Sequence, residues 1–185
     1  AAAEKHPRII DYATNGMRSD FMDVYLGAHC EFCISTSTGW DAIPQAFRRP
    51  MCYTNFVPLE YMSTWLPRSL AIWKHHEKDG KRMSVAEINA AGAGVFMRAE
   101  EFENAGITLI DNTPEEITAV VEEMAEMADS RLTQTTQEEF WRDFPRFTEP
   151  VTGQPLHGEI RTRIGAAFLT QYQEEPCLTA SASSV

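Results

Sequence analysis

The residues best equipped for chemistry stand together at Ser35, Thr36, Ser37, Thr38 and Gly39, where an apolar run breaks into hydroxyl side chains and a glycine ahead of Trp40 and Asp41. A turn of this kind, entered from a strand and left into a helix, suits a phosphate. Backbone N–H groups point outward at a helix N-terminus, glycine lets the backbone come close, and Ser or Thr hydroxyls add donors. The same residues also fit a plain turn in which Ser37 or Thr38 caps the helix. Asp41, in the first helical turn, competes with an anion for the helix dipole, so it either caps the helix or points at a sugar or ribose hydroxyl; capping is the reading we favour.

A phosphate site in this chain needs cations gathered locally, because 27 acidic side chains against 16 basic ones give a formal charge of -11. Arg18 and Lys74 each follow a strand-like run and are the candidates, Arg18 first; a surface arginine ahead of a helix cap is the plainer reading of Arg18. Asn55 ends the strand after the hydroxyl turn, where an amide can read a base or a sugar, or simply form the turn. His75 and His76 sit beside Lys74 without a carboxylate at fixed spacing, so both are expected to be exposed polar residues and not general bases. Trp40 suits stacking on a ligand or packing in the core.

The acidic balance argues against nucleic acid as a partner. No stretch reaches the roughly 18 apolar residues of a membrane span, and the first eight residues lack the apolar run of a signal peptide, so a cytoplasmic location is expected, with peripheral attachment to the inner membrane left open. Of the four cysteines, Cys30 and Cys33 have C-x-x-C spacing while Cys52 and Cys177 are scattered. Core packing is the expected role, and no metal site is anticipated.

The elements that must position these groups alternate between strand and helix. Strand-like runs are expected at 8–13, 32–35 (a central strand buried on both faces), 51–56, 70–73 and 107–110. Helices are expected from near Ser19, with Phe21, Val24, Tyr25 and Ala28 on a face that packs on a sheet; over 41–47; around 61–65; from Ser84, whose Ser84-x-x-Glu87 spacing is a capping box; and over 96–104. The clearest helix start is Thr113-Pro114-Glu115-Glu116, followed by Ile117, Val120, Val121, Met124 and Ala128 on one face, with Glu115, Glu122, Glu126 and Asp129 away from it. This alternation predicts an α/β fold, a Rossmann-like, doubly wound and mostly parallel sheet over residues 1–144, whose ligands bind beyond the carboxyl ends of the strands. Prolines and glycines then mark a linker at 145–158. Ile160, Ile164, Phe168 and Tyr172, four apart, describe a C-terminal docking helix over 159–178, and 179–185 reads as a tail.

Several stretches taken together carry a family resemblance: Asp11-Tyr12-Ala13, the block from Arg18 to Leu26, Phe32-Cys33-Ile34-Ser35-Thr36-Ser37-Thr38-Gly39, Phe47-Arg48-Arg49-Pro50, Asn55 with Pro58-Leu59, Lys74, Glu87-Ile88, Asn112-Thr113-Pro114-Glu115-Glu116-Ile117, Phe140-Trp141 and Arg163-Ile164-Gly165 with Phe168-Leu169. Nearly the whole chain resembles a family of bacterial glycosyltransferases of the GT-B type. The resemblance implies two facing Rossmann-like domains, of which only the C-terminal, nucleotide-sugar-binding half is recognisable here. It further implies that the turn at Ser35 to Gly39 meets the donor diphosphate, that Arg18 or Lys74 stabilises the leaving nucleotide without a metal, and that the catalytic base comes from an N-terminal acceptor domain.

The expected function is donor binding in surface polysaccharide or glycoconjugate synthesis, with no turnover by this chain alone and the nucleotide-diphosphate sugar as substrate and not cofactor. A sugar-nucleotide epimerase shares the architecture but should gather acids and a histidine around the sugar, and no such cluster is visible. The reading from another class is a non-catalytic interaction or homodimerisation module. It is expected to expose the aromatics Phe140, Trp141, Phe144, Phe147 and Phe168 as an apolar patch.

Overall fold

Short apolar runs separated by turn residues produce short elements, and a computed structural model describes residues 6–126, 137–138, 140–141, 144, 152–154 and 158–174. The strands among them are β1 (Cys33–Ser35), β2 (Met51–Phe56), β3 (Ser69–Trp73), β4 (His75–Lys78), β5 (Lys81–Arg82), β6 (Ile107–Ile110) and β7 (Arg163–Ile164). The helices include α1 (Asp20–His29), α2 (Ala42–Ala46), α3 (Val85–Ala90), α4 (Ala99–Asn104), α5 (Pro114–Glu126) and α6 (Ala166–Glu174). The expected linker at 145–158 and tail at 179–185 lie largely or wholly outside the described residues.

Four strands form a parallel sheet in the order β1-β2-β3-β7. Strands β2 and β3 have neighbours on both sides, and every residue of the two is buried except the half-buried Asn55, as strands covered on both faces require. Helix α5 lies against β2 and β3, and α6 packs on α5. The handover from β7 to α6 needs Gly165, because a Cβ there would stand 3.0 Å from both Ile72 Cγ2 and Val120 Cγ2.

A single residue, Lys74, separates β3 from β4, and there the chain leaves the parallel sheet for an antiparallel one ordered β5-β4-β6. The β4–β5 hairpin turns at Asp79-Gly80, both with positive φ (53° and 71°), the backbone that favours an Asp-Gly pair. The chain is therefore a mixed α/β fold with a four-stranded parallel sheet and a three-stranded antiparallel one among the described residues. The expected strand at 107–110 exists as β6, but it pairs with β4 and not with the parallel sheet.

Both local capping signals form as read. Ser84 accepts from the Glu87 N–H at 3.2 Å while Glu87 accepts from the Ser84 N–H at 2.7 Å, and Thr113 and Glu116 do the same at 3.2 and 2.8 Å. Within α5, Val120 and Met124 are buried and Glu115, Glu122 and Glu126 are exposed; Ala128 and Asp129 lie outside the described residues.

Other expectations are corrected. Residues 8–13 contain no strand, only a turn held by hydrogen bonds such as Asn15 N–H to Asp11 O. Strand β1 is at an edge among the described residues, leaving Ile34 half exposed where a central strand would bury it. Helix α1 packs through Gly27 and Ala28 against α2, since only a small residue lets Ile43 and Pro44 approach; Phe21, Val24 and Tyr25 consequently face outward. The four-residue spacing of Ile160, Ile164, Phe168 and Tyr172 does not belong to one helix, because Ile164 sits in β7 and α6 begins at Ala166. Trp141, Phe144 and Phe168 are buried and Phe140 packs on the core, with Trp73 ringed by Phe140, Phe168 and Tyr172, so they form no exposed patch; Phe147 lies outside the described residues.

Candidate functional site

The hydroxyl turn leaves the carboxyl end of β1. Ser35 is buried, while Thr36, Ser37, Thr38 and Gly39 are exposed. Ser37 takes a left-handed backbone (φ 65°), which turns its N–H back onto Ser35 Oγ at 3.1 Å. The N–H groups of Thr36 and Thr38 donate to none of the described residues, so the turn offers two open backbone donors beside three exposed hydroxyls. A 3-10 turn, Gly39–Asp41, leads into α2, which has only five residues and hence a weak dipole.

Asp41 makes no capping bond, contrary to the reading favoured from sequence. Its side chain is buried behind the turn and accepts from Ser35 Oγ at 3.4 Å; burial raises the carboxyl above its ordinary range, with the Ser35 bond acting in the opposite direction. An ionised Asp41 opposes an anion at the turn, and a protonated one does not.

At the end of β2, Asn55 also has a left-handed backbone (φ 51°), and the β2–β3 register breaks between Tyr53 and Phe56. The Asn55 N–H donates to Asn112 Oδ1 at 2.6 Å, and the Asn112 N–H donates to Asn55 Oδ1 at 2.6 Å. Asn112 Nδ2 also donates to the Trp73 carbonyl at 2.8 Å, so one side chain ties the ends of β2 and β3 to the start of α5. The carbonyl of the Asn55 amide is thereby committed.

At the end of β3, Lys74 Nζ lies 2.6 Å from Asp111 Oδ1, with the lysine about one third exposed and the aspartate well exposed. A pair this open contributes little to stability, about 0.2–1 kcal/mol, and is readily exchanged for another anion. His75 and His76, expected at the surface, are both buried because β4 continues the chain into the second sheet. His75 Nε2 lies 2.9 Å from Glu116, which also closes the α5 capping box, and the imidazole stacks on Phe168. His76 Nδ1 donates to the Lys74 carbonyl at 2.9 Å, and burial, the largest influence, holds the ring neutral with its pKa lowered to about 4.

Arg18 stands apart from these groups. It precedes the α1 cap Ser19, is largely exposed, and places Nε 3.5 Å from Asp23 Oδ2 in the first turn of that helix. Trp40 is not a core residue; with Tyr25, Leu26, His29 and Ile34 it lines an open groove of about 470 Å³ beside β1. The thiols of Cys33 and Cys52 are free, buried core groups pushed up by desolvation to about 11 and about 12, and Cys30 is half-buried.

Thus Ser35–Gly39, Asn55 and Lys74 end three adjacent parallel strands, whereas Arg18 lies ahead of α1 with its ion pair on Asp23. Sequence reasoning gave Asp111 no part and quoted Asn112 only within the family resemblance, and it missed the His75–Glu116 pair, whose members are 41 residues apart. No family model, curated protein or solved structure matches this chain.

Proposed function

We propose that the carboxyl edge of the parallel sheet holds the diphosphate of a nucleotide sugar, and that the chain is the donor-binding part of a glycosyltransferase. The observation that carries this reading is the convergence of the β1 turn, with its free Thr36 and Thr38 N–H groups, and of Asn55 and Lys74 at the ends of neighbouring strands. In an α/β sheet that edge is where ligands bind. The diphosphate would lie over Thr36, Ser37, Thr38 and Gly39, and Lys74 would leave Asp111 to neutralise it. The finer architecture, one Rossmann-like, doubly wound half of a GT-B enzyme, belongs to the same proposal, as do a cytoplasmic setting and an acceptor domain that brings the base.

A thermal-shift series with UDP, GDP, CMP, ADP and their sugar conjugates tests it, since a ligand of the folded state raises the melting temperature. One nucleotide standing out supports the reading and names the base. No shift from any of them at millimolar concentration counts against it.

One observation favours a second reading, an interaction module. Phe21 (72% exposed), Tyr25, Ile34 and Trp40 present apolar surface along α1 and β1. Concentration-dependent self-association in sedimentation equilibrium, lost on Phe21→Ser with Trp40→Ser, would favour this reading.

A further inference from the structure

Trp40 keeps much of its indole in solvent. It stands in the 3-10 turn Gly39–Asp41 and is 42% exposed. Among the described residues its ring stacks on no other ring and its N–H donates to no other residue. The core tryptophan Trp73, by contrast, is fully buried and ringed by aromatic side chains. An aromatic face of this size left open gains most from a second flat, apolar surface laid against it.

Its place in the chain ties it to the candidate ligand edge. Ile34 immediately precedes the hydroxyl turn, Trp40 immediately follows it, and both line the groove of about 470 Å³ beside β1. The groove therefore opens beside the free Thr36 and Thr38 N–H groups. Its other wall is α1, where the Tyr25 and His29 rings stack with centroids 4.3 Å apart and His29 Nδ1 donates to the Tyr25 carbonyl at 2.9 Å. No carboxylate, ammonium or guanidinium lines the groove.

Walls of this kind select by shape and apolarity. An anion placed between them would find no cation, and a hexose would bring several hydroxyls to a lining that can satisfy few of them. A flat, uncharged heteroaromatic ring meets neither objection, because its π-face can lie on the indole, as every nucleobase allows. In a nucleotide that ring is tethered through the ribose to the phosphates, so phosphates on the turn bring the base to the adjoining groove.

We propose that Trp40 is the stacking platform for the nucleobase of the ligand whose diphosphate lies on the β1 turn. The inference rests on the nucleotide-sugar reading and adds to it the residue that separates a nucleotide from a bare diphosphate. Trp40 reads the face of the base and not its edge, so it supplies affinity to whichever nucleotide the chain takes.

The test is titration calorimetry on the full chain, Trp40→Ala and Trp40→Phe with inorganic pyrophosphate, UDP, GDP and ADP. The wild type is expected to bind at least one nucleotide more tightly than pyrophosphate. Trp40→Ala should weaken that nucleotide by roughly tenfold to a hundredfold and leave pyrophosphate unchanged, while Trp40→Phe, which keeps a π-face, should retain most of the affinity. A chain labelled with fluorotryptophan gives a readout that does not depend on Trp40→Ala folding: the Trp40 fluorine resonance, assigned by its loss in Trp40→Phe, should move with the nucleotide and stay in place with pyrophosphate. Nucleotide affinity that survives in Trp40→Ala, or an equal loss for nucleotide and pyrophosphate, overturns the platform and leaves the phosphate edge standing. A fluorine resonance indifferent to a bound nucleotide does the same. If the wild type binds neither pyrophosphate nor any nucleotide, the nucleotide-sugar reading itself falls and takes the platform with it.

Discussion

Asn55 and Asn112 exchange backbone-to-side-chain hydrogen bonds in both directions, each at 2.6 Å, across 57 residues of sequence. The pair holds a left-handed residue at the end of β2 and delivers the start of α5 to the candidate ligand edge. Asn112→Ala leaves the Asn55 N–H and the Trp73 carbonyl without partners, so a loss of about 2–3 kcal/mol is expected. Urea unfolding monitored by circular dichroism measures it; a loss below about half a kcal/mol would mean that water replaces the amide without penalty.

Asp41 and the β1 turn make a charge prediction. Its folded carboxyl is raised by burial, so the folded state takes up a proton more readily than the unfolded one, and stability declines as pH rises from the ordinary aspartate range through the raised one. At neutral pH Asp41→Asn should therefore leave stability unchanged or improved. Because it also removes a negative charge behind Thr36 to Gly39, inorganic pyrophosphate should bind more tightly than to the wild type. Weaker binding would assign Asp41 to positioning Ser35.

Lys74 and Asp111 should have opposite effects on ligand and almost none on stability. Lys74→Ala is expected to weaken diphosphate binding by about 1.5–3 kcal/mol, whereas Asp111→Ala releases the ammonium and should strengthen it. Both should unfold within about 1 kcal/mol of the wild type, because the pair is open to solvent. Identical affinities for the two variants would remove Lys74 from the site.

His76 sets an acid limit. It is neutral in the fold, with a pKa lowered to about 4 from 6.5, so the unfolded chain binds the extra proton between these values. Stability from His76 is present above pH 6.5 and is lost as pH falls toward 4, a contribution of about 3 kcal/mol. The difference in unfolding free energy between wild type and His76→Gln, followed from pH 7.5 to 4.5, should shift by that order in favour of the variant. A pH-independent difference would contradict it.

What could be read from the sequence was what neighbours in the chain decide. The capping boxes at Ser84 and Thr113 need only residues three apart, and the buried runs at β2 and β3 need only their own apolarity. The direction in which α1 faces depended on Gly27 meeting Ile43, and the burial of His75 depended on Glu116 and Phe168 arriving from distant segments. Ile160, Ile164, Phe168 and Tyr172 showed a helical period across a strand and a glycine turn, because spacing carries no record of where the backbone bends. Among the site residues, the strand-end positions of Ser35, Asn55 and Lys74 were legible, while the partners that fix Asn55 and engage Lys74 were not.

Lys74 occupies the seam between the two sheets. On one side Trp73 is in register with Phe56, and on the other His75 is in register with Ile110. Its α-carbon cannot move without unzipping a ladder, yet its ammonium is free to leave Asp111. The lysine is thus a swivelling arm on a fixed pedestal, able to change partners without asking the scaffold to deform.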